Sequence, residues 1–270
     1  MSNVINTNVK SIMAQNALVT NNRSLEKAMQ QLSTGRRING AADDAAGLAI
    51  SETMTAQIRG LNQAVRNAND AASMLQTAEG ALIETGNMLQ RMRELAVQAA
   101  NGTISSDQRG FLEDEYAALK TAITSVATDT KWNGQSVLNT TATVTYQVGA
   151  DSSNTMAFTF AVMTAGALTL SATIGLQATA TTAIGQLDTA INAVSDQRAL
   201  LGATINRLSY ASDNLANVAM NTEASRSRIR DTDYAQATTE LARTQIIQQA
   251  ATAMLAQANQ QPQSVLALLK

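Results

Sequence analysis

Two acidic clusters are the residues of this chain whose types and spacing could carry out chemistry. Asp43-Asp44 and Glu113-Asp114-Glu115 place carboxylates side by side, as general acid/base pairs and divalent-metal sites do. Neither cluster has further ligands or acid/base partners near it in the sequence. We therefore predict that Asp43 or Asp44 caps a helix and that the second cluster belongs to a solvated helix face. No catalytic, cofactor-binding or metal-binding residue is predicted.

The composition argues against most enzyme mechanisms and against nucleic-acid binding. No Cys and no His occur in 270 residues, which excludes disulfides, thiol nucleophiles and the usual general base. The 19 basic and 21 acidic residues nearly cancel, so the chain lacks the basic excess that a polyanion binder needs. The arginines of residues 226–230 lie among Glu223, Asp231 and Asp233, which favours ion pairs within or between subunits.

Two long apolar series must position these residues. Both alternate steps of three and four, and the resulting 3.5-residue repeat keeps one seam facing a partner helix. Since aromatic residues make up only 3% of the chain, alanine must fill the space between helices. The pattern predicts a rod of paired helices, parallel or antiparallel, and such a rod favours a structural protein. The series are Met54, Ile58, Leu61, Val65, Ala68, Ala72, Leu75, Leu82 and Leu89, and Ile184, Leu187, Ile191, Val194, Leu201, Ile205, Leu208 and Leu215.

Residues typical of helix ends and turns divide the chain into further elements. Leu18, Leu25 and Leu32 predict an amphipathic helix in residues 1–35, followed by a hinge and a second helix that stops at Asn101-Gly102. A third helix follows and ends at residues 132–134. Alternating apolar residues between 134 and 182 predict a small β region with a hairpin loop at 149–155. The last seam helix covers residues 182–226, and a second joint follows at residues 225–233.

The C-terminal segment has no charged residue between Arg243 and Lys270. A membrane span is an alternative interpretation, but the many glutamines would be costly in lipid. An amphipathic helix that requires a partner is the favoured prediction. Its apolar residues are Ile246, Ile247, Met254, Leu255 and Leu266. The N-terminus shows no basic segment followed by an apolar one, so no cleavable secretory signal is predicted.

With these segments defined, the chain resembles bacterial flagellin over nearly its whole length. The resemblance rests on INTNVKSIMAQNAL, LSTGRRINGAADDAAGLAIS, LQRMRELAVQAANGT and TKWNGQSVL at the front, and on LGATINRL and the long stretch from ASRSRIRDTDY to PQSVLALL at the back. The family more often has Phe where this chain has Trp132. Residues 135–183 are short and only loosely similar, which implies that the large outer domains of long flagellins are missing.

The resemblance implies a mainly α fold, a long antiparallel coiled-coil hairpin or bundle with a small inserted β region. Residues 1–42 and 232–270 would form an inner domain of coiled helices. Residues 43–231 would form the helical-bundle core, which includes the β region at 132–182. The apolar residues of the two ends, namely Leu18, Leu25, Leu32, Ile246, Ile247, Met254, Leu255 and Leu266, would be the polymerisation tails.

The implied function is that of a structural subunit of the flagellar filament, a helical tube that acts as a propeller. The subunit would be exported unfolded through the flagellar type III apparatus and would end outside the cell. An export chaperone, the filament cap, the hook-filament junction proteins and further copies of the chain would be its partners. The alternative is a hook-filament junction protein of the same superfamily, which has similar terminal helices but few copies.

Further expectations concern single segments. In flagellins the stretch LQRMRELAVQ resembles the site bound by the vertebrate Toll-like receptor that senses flagellin, which implies a recognition role for Arg91, Leu95 and Glu115. We expect both chain ends to be largely disordered in the monomer and to fold on assembly. Glutamines such as Gln249 and Gln257 would line the lumen or bind neighbouring subunits. The Ser and Thr residues of the β region would be candidates for O-glycosylation.

Overall fold

The computed structural model describes residues 7–267, with side chains described for residues 7–260. The described chain is mainly helical, as predicted, with a short β region between the third and fourth helices. The helices are α1 (Val9–Thr34), α2 (Ala45–Ala99), α3 (Ser106–Asp129), α4 (Gln177–Arg230) and α5 (Tyr234–Ala267). The strands are β1 (Lys131–Trp132), β2 (Gln135–Ser136), β3 (Thr143–Gln147) and β4 (Thr155–Thr159).

Two compact units divide the chain. One contains the described residues up to Ala56 and from Asn221 onward, and the other contains Gln57–Met220. The predicted domain limits at 42/43 and 231/232 fall at the joints between helices, whereas the compact units divide inside α2 and α4. The division into an inner and a core domain therefore stays a prediction.

In the first unit, α1 and α5 form an antiparallel pair that we call the terminal helix pair. The Nδ2 atom of Asn8 donates to the carbonyl of Ala258 at 2.8 Å, and the Nδ2 atom of Asn21 donates to the carbonyl of Thr244 at 2.8 Å. Residues later in α1 thus contact residues earlier in α5, so the two helices run antiparallel. Helix α1 begins at the N-cap Asn8 and ends at Gly35, whose φ of 68° is the left-handed conformation that glycine adopts easily.

The two predicted joints pair with each other in the same unit. The backbone amide of Arg37 donates to the carbonyl of Arg230 at 2.7 Å, and the amide of Thr232 donates to the carbonyl of Gly35 at 3.1 Å. The predicted second joint is placed too early, because α4 continues through the arginine cluster to Arg230. Cations stabilise the negative end of a helix dipole, so this cluster belongs to the last turns of α4 and the joint is residues 231–233.

In the second unit, α2, α3 and α4 form a bundle that we call the core bundle. Helices α2 and α4 are antiparallel, because Leu61 packs near Leu215 whereas Arg93 pairs with Asp188. All predicted seam residues of both series are buried or half-buried. Helix α3 begins with a capping box between Ser105 and Gln108 and buries Tyr116, Ile123 and Ala127.

The β region consists of two small hairpins. The predicted end of α3 at residues 132–134 is wrong, since the helix ends at Asp129 and β1 pairs with β2 around a two-residue turn. Asn133 and Gly134 form this turn with φ values of 48° and 81°. Two-residue hairpin turns require positive φ values, which Asn and Gly adopt more easily than other residues. Strands β3 and β4 pair in antiparallel register with Val144 opposite Phe158, as the alternation predicted.

The predicted start of α4 near Thr182 is also wrong. The helix begins at Gln177, because Ala180 and Ala183 are fully buried against the core and the small side chains fit there. The Thr-rich sequence of this segment resembles the preceding β region, and burial in the bundle overrides that local similarity.

Candidate functional site

The terminal helix pair has an unusual distribution of side chains. Its most buried positions hold small or polar residues, namely Ser11, Asn21, Ala28, Ala237 and Thr244. Large apolar residues are instead exposed on the outside of both helices. They are Val9, Ile12, Met13, Val19 and Met29 on α1 and Ile246, Ile247 and Met254 on α5. Such an apolar surface indicates a protein-protein contact site.

The predicted polymerisation tails divide into two groups. Leu18, Leu25, Leu32 and Leu255 are half-buried, and their helical spacing from Asn21 and Thr244 places them on the seam side of α1 and α5. Ile246 and Met254 are 67% and 66% exposed, and Ile247 is 41% exposed, so these three residues point away from the seam. The side chain of Leu266 lies outside the described residues.

Polar contacts hold the seam at positions that the apolar pattern did not reveal. Asn21 is 8% exposed and Thr244 is 1% exposed, and the amide of Asn21 donates to the Thr244 carbonyl. One turn further on, Gln248 Nε2 donates to Asn22 Oδ1 at 3.2 Å. Asn21 falls between Leu18 and Leu25 at heptad spacing, and this spacing is the signal that could have identified it.

The glutamines proposed for the lumen lie outside the seam. Gln249, Gln257 and Gln260 are exposed, whereas Gln248 is turned inward toward Asn22. Gln249 and Gln260 are eleven residues apart, which places them within about 20° of each other around the helix axis. The exposed glutamines are therefore free to face either an aqueous channel or a neighbouring molecule.

Arg91 and Glu115 form an exposed ion-pair cluster on neighbouring helices of the core bundle. The Nε atom of Arg91 lies 2.9 Å from Glu115 Oε1, and its Nη1 atom lies 3.0 Å from Glu94 Oε2. Donation of hydrogen bonds to Glu115 and then to Glu94 raises the pKa of the Arg91 guanidinium above its usual value. The arrangement presents a fixed guanidinium flanked by two carboxylates, which suits recognition by a polar partner surface.

Leu95 does not belong to this exposed cluster, and its recognition role stays a prediction. Its side chain is only 1% exposed and packs in the hydrophobic core. Leu95 follows Arg91 by one helical turn, but the helix turns its side chain toward the bundle. The exposed neighbour of Arg91 on α2 is instead Glu94, which pairs with it.

The acidic clusters have structural roles in the described chain. Asp44 Oδ1 accepts from the Gly47 amide at 2.9 Å and caps α2, as predicted. Asp43 pairs with Lys27 at 2.9 Å, and the hydrogen bond from Lys27 and the amides of the turn lower its pKa. In the second cluster, Glu113 accepts from the backbone amide of Ile174 and thus joins α3 to the segment before α4.

The arginine cluster follows its predicted pairing at one position. Arg226 Nη2 lies 2.9 Å from Glu223 Oε1, and its Nη1 atom donates to Thr55 Oγ1 at 3.4 Å. Asp233 instead caps α5 by accepting from the amide of Ala235 at 2.9 Å. Within residues 7–267, no helix has the length and apolar character to cross a membrane, and no group of three or more acidic side chains is arranged to hold a metal ion.

Paired long helices with large apolar residues on their outer faces define a helical structural protein that associates with other molecules. Two family models match: the bacterial flagellin N-terminal helical region over residues 5–143, and the C-terminal helical region over residues 184–269. The chain belongs to the bacterial flagellin family. Its function is that of a structural subunit of the flagellar filament, and flagellins polymerise with copies of themselves.

Relatives match along nearly the whole chain. A flagellin of Halalkalibacterium halodurans is 46% identical over 99% of this chain and 100% of its own length. The flagellar filament 33 kDa core protein of Treponema phagedenis is 42% identical over 99% and 100%, respectively. A flagellin of Bacillus subtilis is 42% identical over 98% and 99%. The chain is thus comparable in extent to these short relatives.

Solved structures agree with the fold. The crystal structure of Bacillus cereus flagellin has a TM-score of 0.51 at 38% identity and covers 56% of this chain and 88% of its own. A putative flagellar hook-associated protein from Vibrio parahaemolyticus has a TM-score of 0.60 at 14% identity, over 70% of this chain and 100% of its own. The second similarity concerns the fold alone.

Proposed function

We propose that this flagellin assembles into the filament through the outer faces of its terminal helix pair. The observation that supports the proposal is the exposure of the large apolar residues while the seam between the helices holds small and polar ones. A helix pair of this kind gains little from its own contact and much from contact with neighbours.

The energies support the same conclusion. Full burial of a Val, Ile or Met side chain contributes about 1.5–3 kcal/mol relative to an exposed one. Ordering a residue costs about 1–2 kcal/mol of backbone entropy, so several of the exposed apolar side chains must be covered before assembly is favourable. Surfaces on different sides of the pair would contact different surfaces of the neighbours, and such contacts generate an open helix when the rotation does not close.

Seeded polymerisation tests the proposal. We expect wild-type subunits to elongate filament seeds into polymers that sediment and are visible by electron microscopy. Ile246→Gln combined with Met254→Gln should abolish elongation while leaving the circular dichroism of the core unchanged. The exposed polar neighbour Gln245→Asn serves as the matched control and should elongate normally. A double variant that polymerises like wild type would contradict the proposed surface, and a wild-type chain that stays small would favour the junction protein instead.

Export is the second part of the proposal. The subunit binds an export chaperone, leaves the cell unfolded through the flagellar type III apparatus and adds at the distal tip beneath the filament cap. The hook-filament junction proteins are its further partners. The absence of Cys and the single proline support this route, because neither cross-links nor slow isomers delay threading. Its place is then the extracellular filament.

The exposed glutamines of α5 are proposed to line the filament lumen. An uncharged polar wall neither binds the apolar residues of an unfolded chain nor retains its charges. Lys substitutions at Gln249, Gln257 and Gln260 separate the lumen from a neighbour contact. Purified subunits that still assemble but fail to elongate filaments in cells support the lumen, whereas loss of assembly in both settings supports amide contacts between subunits.

Recognition of the free subunit by the Toll-like receptor is proposed for the Arg91 cluster. The support is the exposed guanidinium held between Glu94 and Glu115, together with the sequence resemblance of this segment. Arg91→Ala should weaken receptor signalling. The control is Arg93→Ala on the same helix, which removes a separate exposed ion pair with Asp188 of α4. An unchanged response to Arg91→Ala would remove this part of the proposal.

A further inference from the structure

Asn-Gly sequences occur three times in the chain, at Asn39-Gly40, Asn101-Gly102 and Asn133-Gly134. Glycine after asparagine leaves the following backbone nitrogen sterically open to reach the side-chain amide carbon. The local sequences are alike in this respect, so any difference in their reactivity must come from the folded structure. The three sites differ clearly in hydrogen bonding, charge and backbone conformation.

Asn39-Gly40 is protected by its hydrogen bonds. The amide of Gly40 donates to Asp43 Oδ2 at 3.3 Å, so the nitrogen that would have to lose its proton faces a carboxylate. The side-chain nitrogen of Asn39 donates to the Arg36 carbonyl at 2.9 Å and is held in place. Removing a proton next to a negative charge is unfavourable, and both reacting groups are already engaged.

Asn133-Gly134 is protected by its conformation. Both residues have positive φ, at 48° and 81°, and form the two-residue turn between the paired strands β1 and β2. The turn fixes both backbone torsions because the flanking residues are paired. Bringing the Gly134 nitrogen onto the side chain of Asn133 would require this hairpin to open.

Asn101-Gly102 lacks both kinds of protection. Asn101 is exposed in the connection between α2 and α3, and the amide of Gly102 donates to no acceptor among residues 7–267. Asn101 Oδ1 accepts from the amide of Thr103 at 3.2 Å, which polarises the side-chain carbonyl and makes its carbon more electrophilic.

A cation adds to the reactivity of Asn101-Gly102. The Nη2 atom of Arg109 donates to the backbone carbonyl of Asn101 at 3.2 Å, and its Nε atom donates to the carbonyl of Ala99 at 2.9 Å. A guanidinium fixed beside this loop stabilises negative charge that develops on the deprotonated amide and on the product carboxylate. The site therefore combines an unblocked nucleophile, a polarised electrophile and a positive charge.

We propose that Asn101 is the site at which the folded chain deamidates. The deprotonated nitrogen of Gly102 attacks Cγ of Asn101, the new N–Cγ bond closes a succinimide, and the side-chain nitrogen leaves with protons as ammonia. Water then opens the ring at either carbonyl and leaves aspartate or isoaspartate at position 101. The reaction consumes one water, releases one ammonia and needs no other reactant. It adds a negative charge beside Arg109 at the connection of α2 and α3.

Peptide mapping by mass spectrometry tests the proposal during incubation of the full chain at neutral pH. In the folded protein, aspartate and isoaspartate should form several-fold faster at position 101 than at positions 39 and 133. In denaturant the three rates should become similar, because the structural protection is lost. Equal relative rates in the folded and denatured chain, or a faster rate at either other position in the folded chain, would overturn the proposal.

Two glycine variants provide a matched pair for the same measurement. A Cβ at Gly102 would meet only Gln177 Nε2 at 3.6 Å, an ordinary contact, so Gly102→Ala keeps the fold and should reduce product at position 101 several-fold. A Cβ at Gly110 meets nothing within 4 Å, so Gly110→Ala should leave the rate unchanged. Circular dichroism confirms that both variants fold, and an undiminished rate in folded Gly102→Ala would contradict the mechanism.

Discussion

The core bundle and the terminal helix pair use the same heptad spacing for opposite purposes. In the core bundle, the seam contains leucines such as Leu82 and Leu89 at 0% exposure, although large side chains such as Phe111 and Leu200 are exposed on its outside. In the terminal pair, the seam contains Asn21 and Thr244 while Ile246 and Met254 are exposed. Periodicity therefore determines that helices pair, whereas the residue types at and outside the seam determine whether the pair is stable by itself.

Limited proteolysis of the monomer should separate the two regions most strongly. We expect protease to remove residues 1–35 and 235–270 and to leave the core bundle, because isolated helices of this length are marginal in water without partners. Polymerised filament is the control, in which the same segments should resist cleavage. Ends that resist trimming in the monomer would break the comparison and would contradict folding on assembly.

Leucine truncation should give the next largest contrast. Leu82→Ala removes a fully buried side chain and should lower the free energy of unfolding by about 2–5 kcal/mol. Leu25→Ala removes a partly exposed side chain of the terminal pair and should cost less, about 1–2 kcal/mol, since part of this leucine is already in water and truncation leaves no fully enclosed cavity. Denaturant unfolding followed by circular dichroism measures both, and equal losses would contradict the difference between the seams.

Replacing the buried amide of the terminal pair should make its seam more like that of the core bundle. Asn21→Leu places an apolar side chain between Leu18 and Leu25, and it should stabilise the helix pair by about 1–2 kcal/mol. Slower protease trimming of the monomer is the expected result. Asn16→Leu changes an exposed position of α1 and is the control. A faster cleavage of Asn21→Leu would mean that the hydrogen bond to Thr244 is worth more than the apolar contact.

The smallest expected effect concerns a polar atom inside the core bundle. The hydroxyl of Tyr116 is buried and has no hydrogen-bond partner within the described part of the chain. Burial, followed by the charge of Glu113, raises the pKa of Tyr116 to about 12. Tyr116→Phe should therefore stabilise the bundle by about 1 kcal/mol, because an unpaired buried hydroxyl is removed. The exposed Tyr210→Phe should change nothing. A destabilised Tyr116→Phe would reveal a partner for the hydroxyl.

The features that the sequence predicted well are those that depend on local pattern. The seams of α2 and α4 follow from apolar spacing, and the β3–β4 hairpin follows from alternation around Val144 and Phe158. The cap of α2 by Asp44 follows from the preference of helix N-termini for carboxylates. Each of these properties is set by residues near each other along the chain.

Local sequence patterns do not reveal which side of a helix faces the core or where a partner element lies. The burial of Leu95 follows from its direction on α2, and its recognition role stays a prediction. The sequence predicts an end of α3 at residues 132–134, whereas pairing of β1 with β2 requires the helix to stop at Asp129. The arginines near residue 228 favour a joint in the sequence, but the structure places them in the last turns of α4.

The sequence by itself determined the helical class, the heptad seams, the hairpin of the β region and the family, because periodicity, turn residues and characteristic phrases are local properties. The tertiary structure decided which members of the apolar and polar sets face inward. Leu95 became core, Asn21 became a seam contact and Ile246 remained exposed. The physical reason is that burial and hydrogen bonding depend on residues distant in sequence. The spacing of residues along one helix does not determine where those distant residues lie.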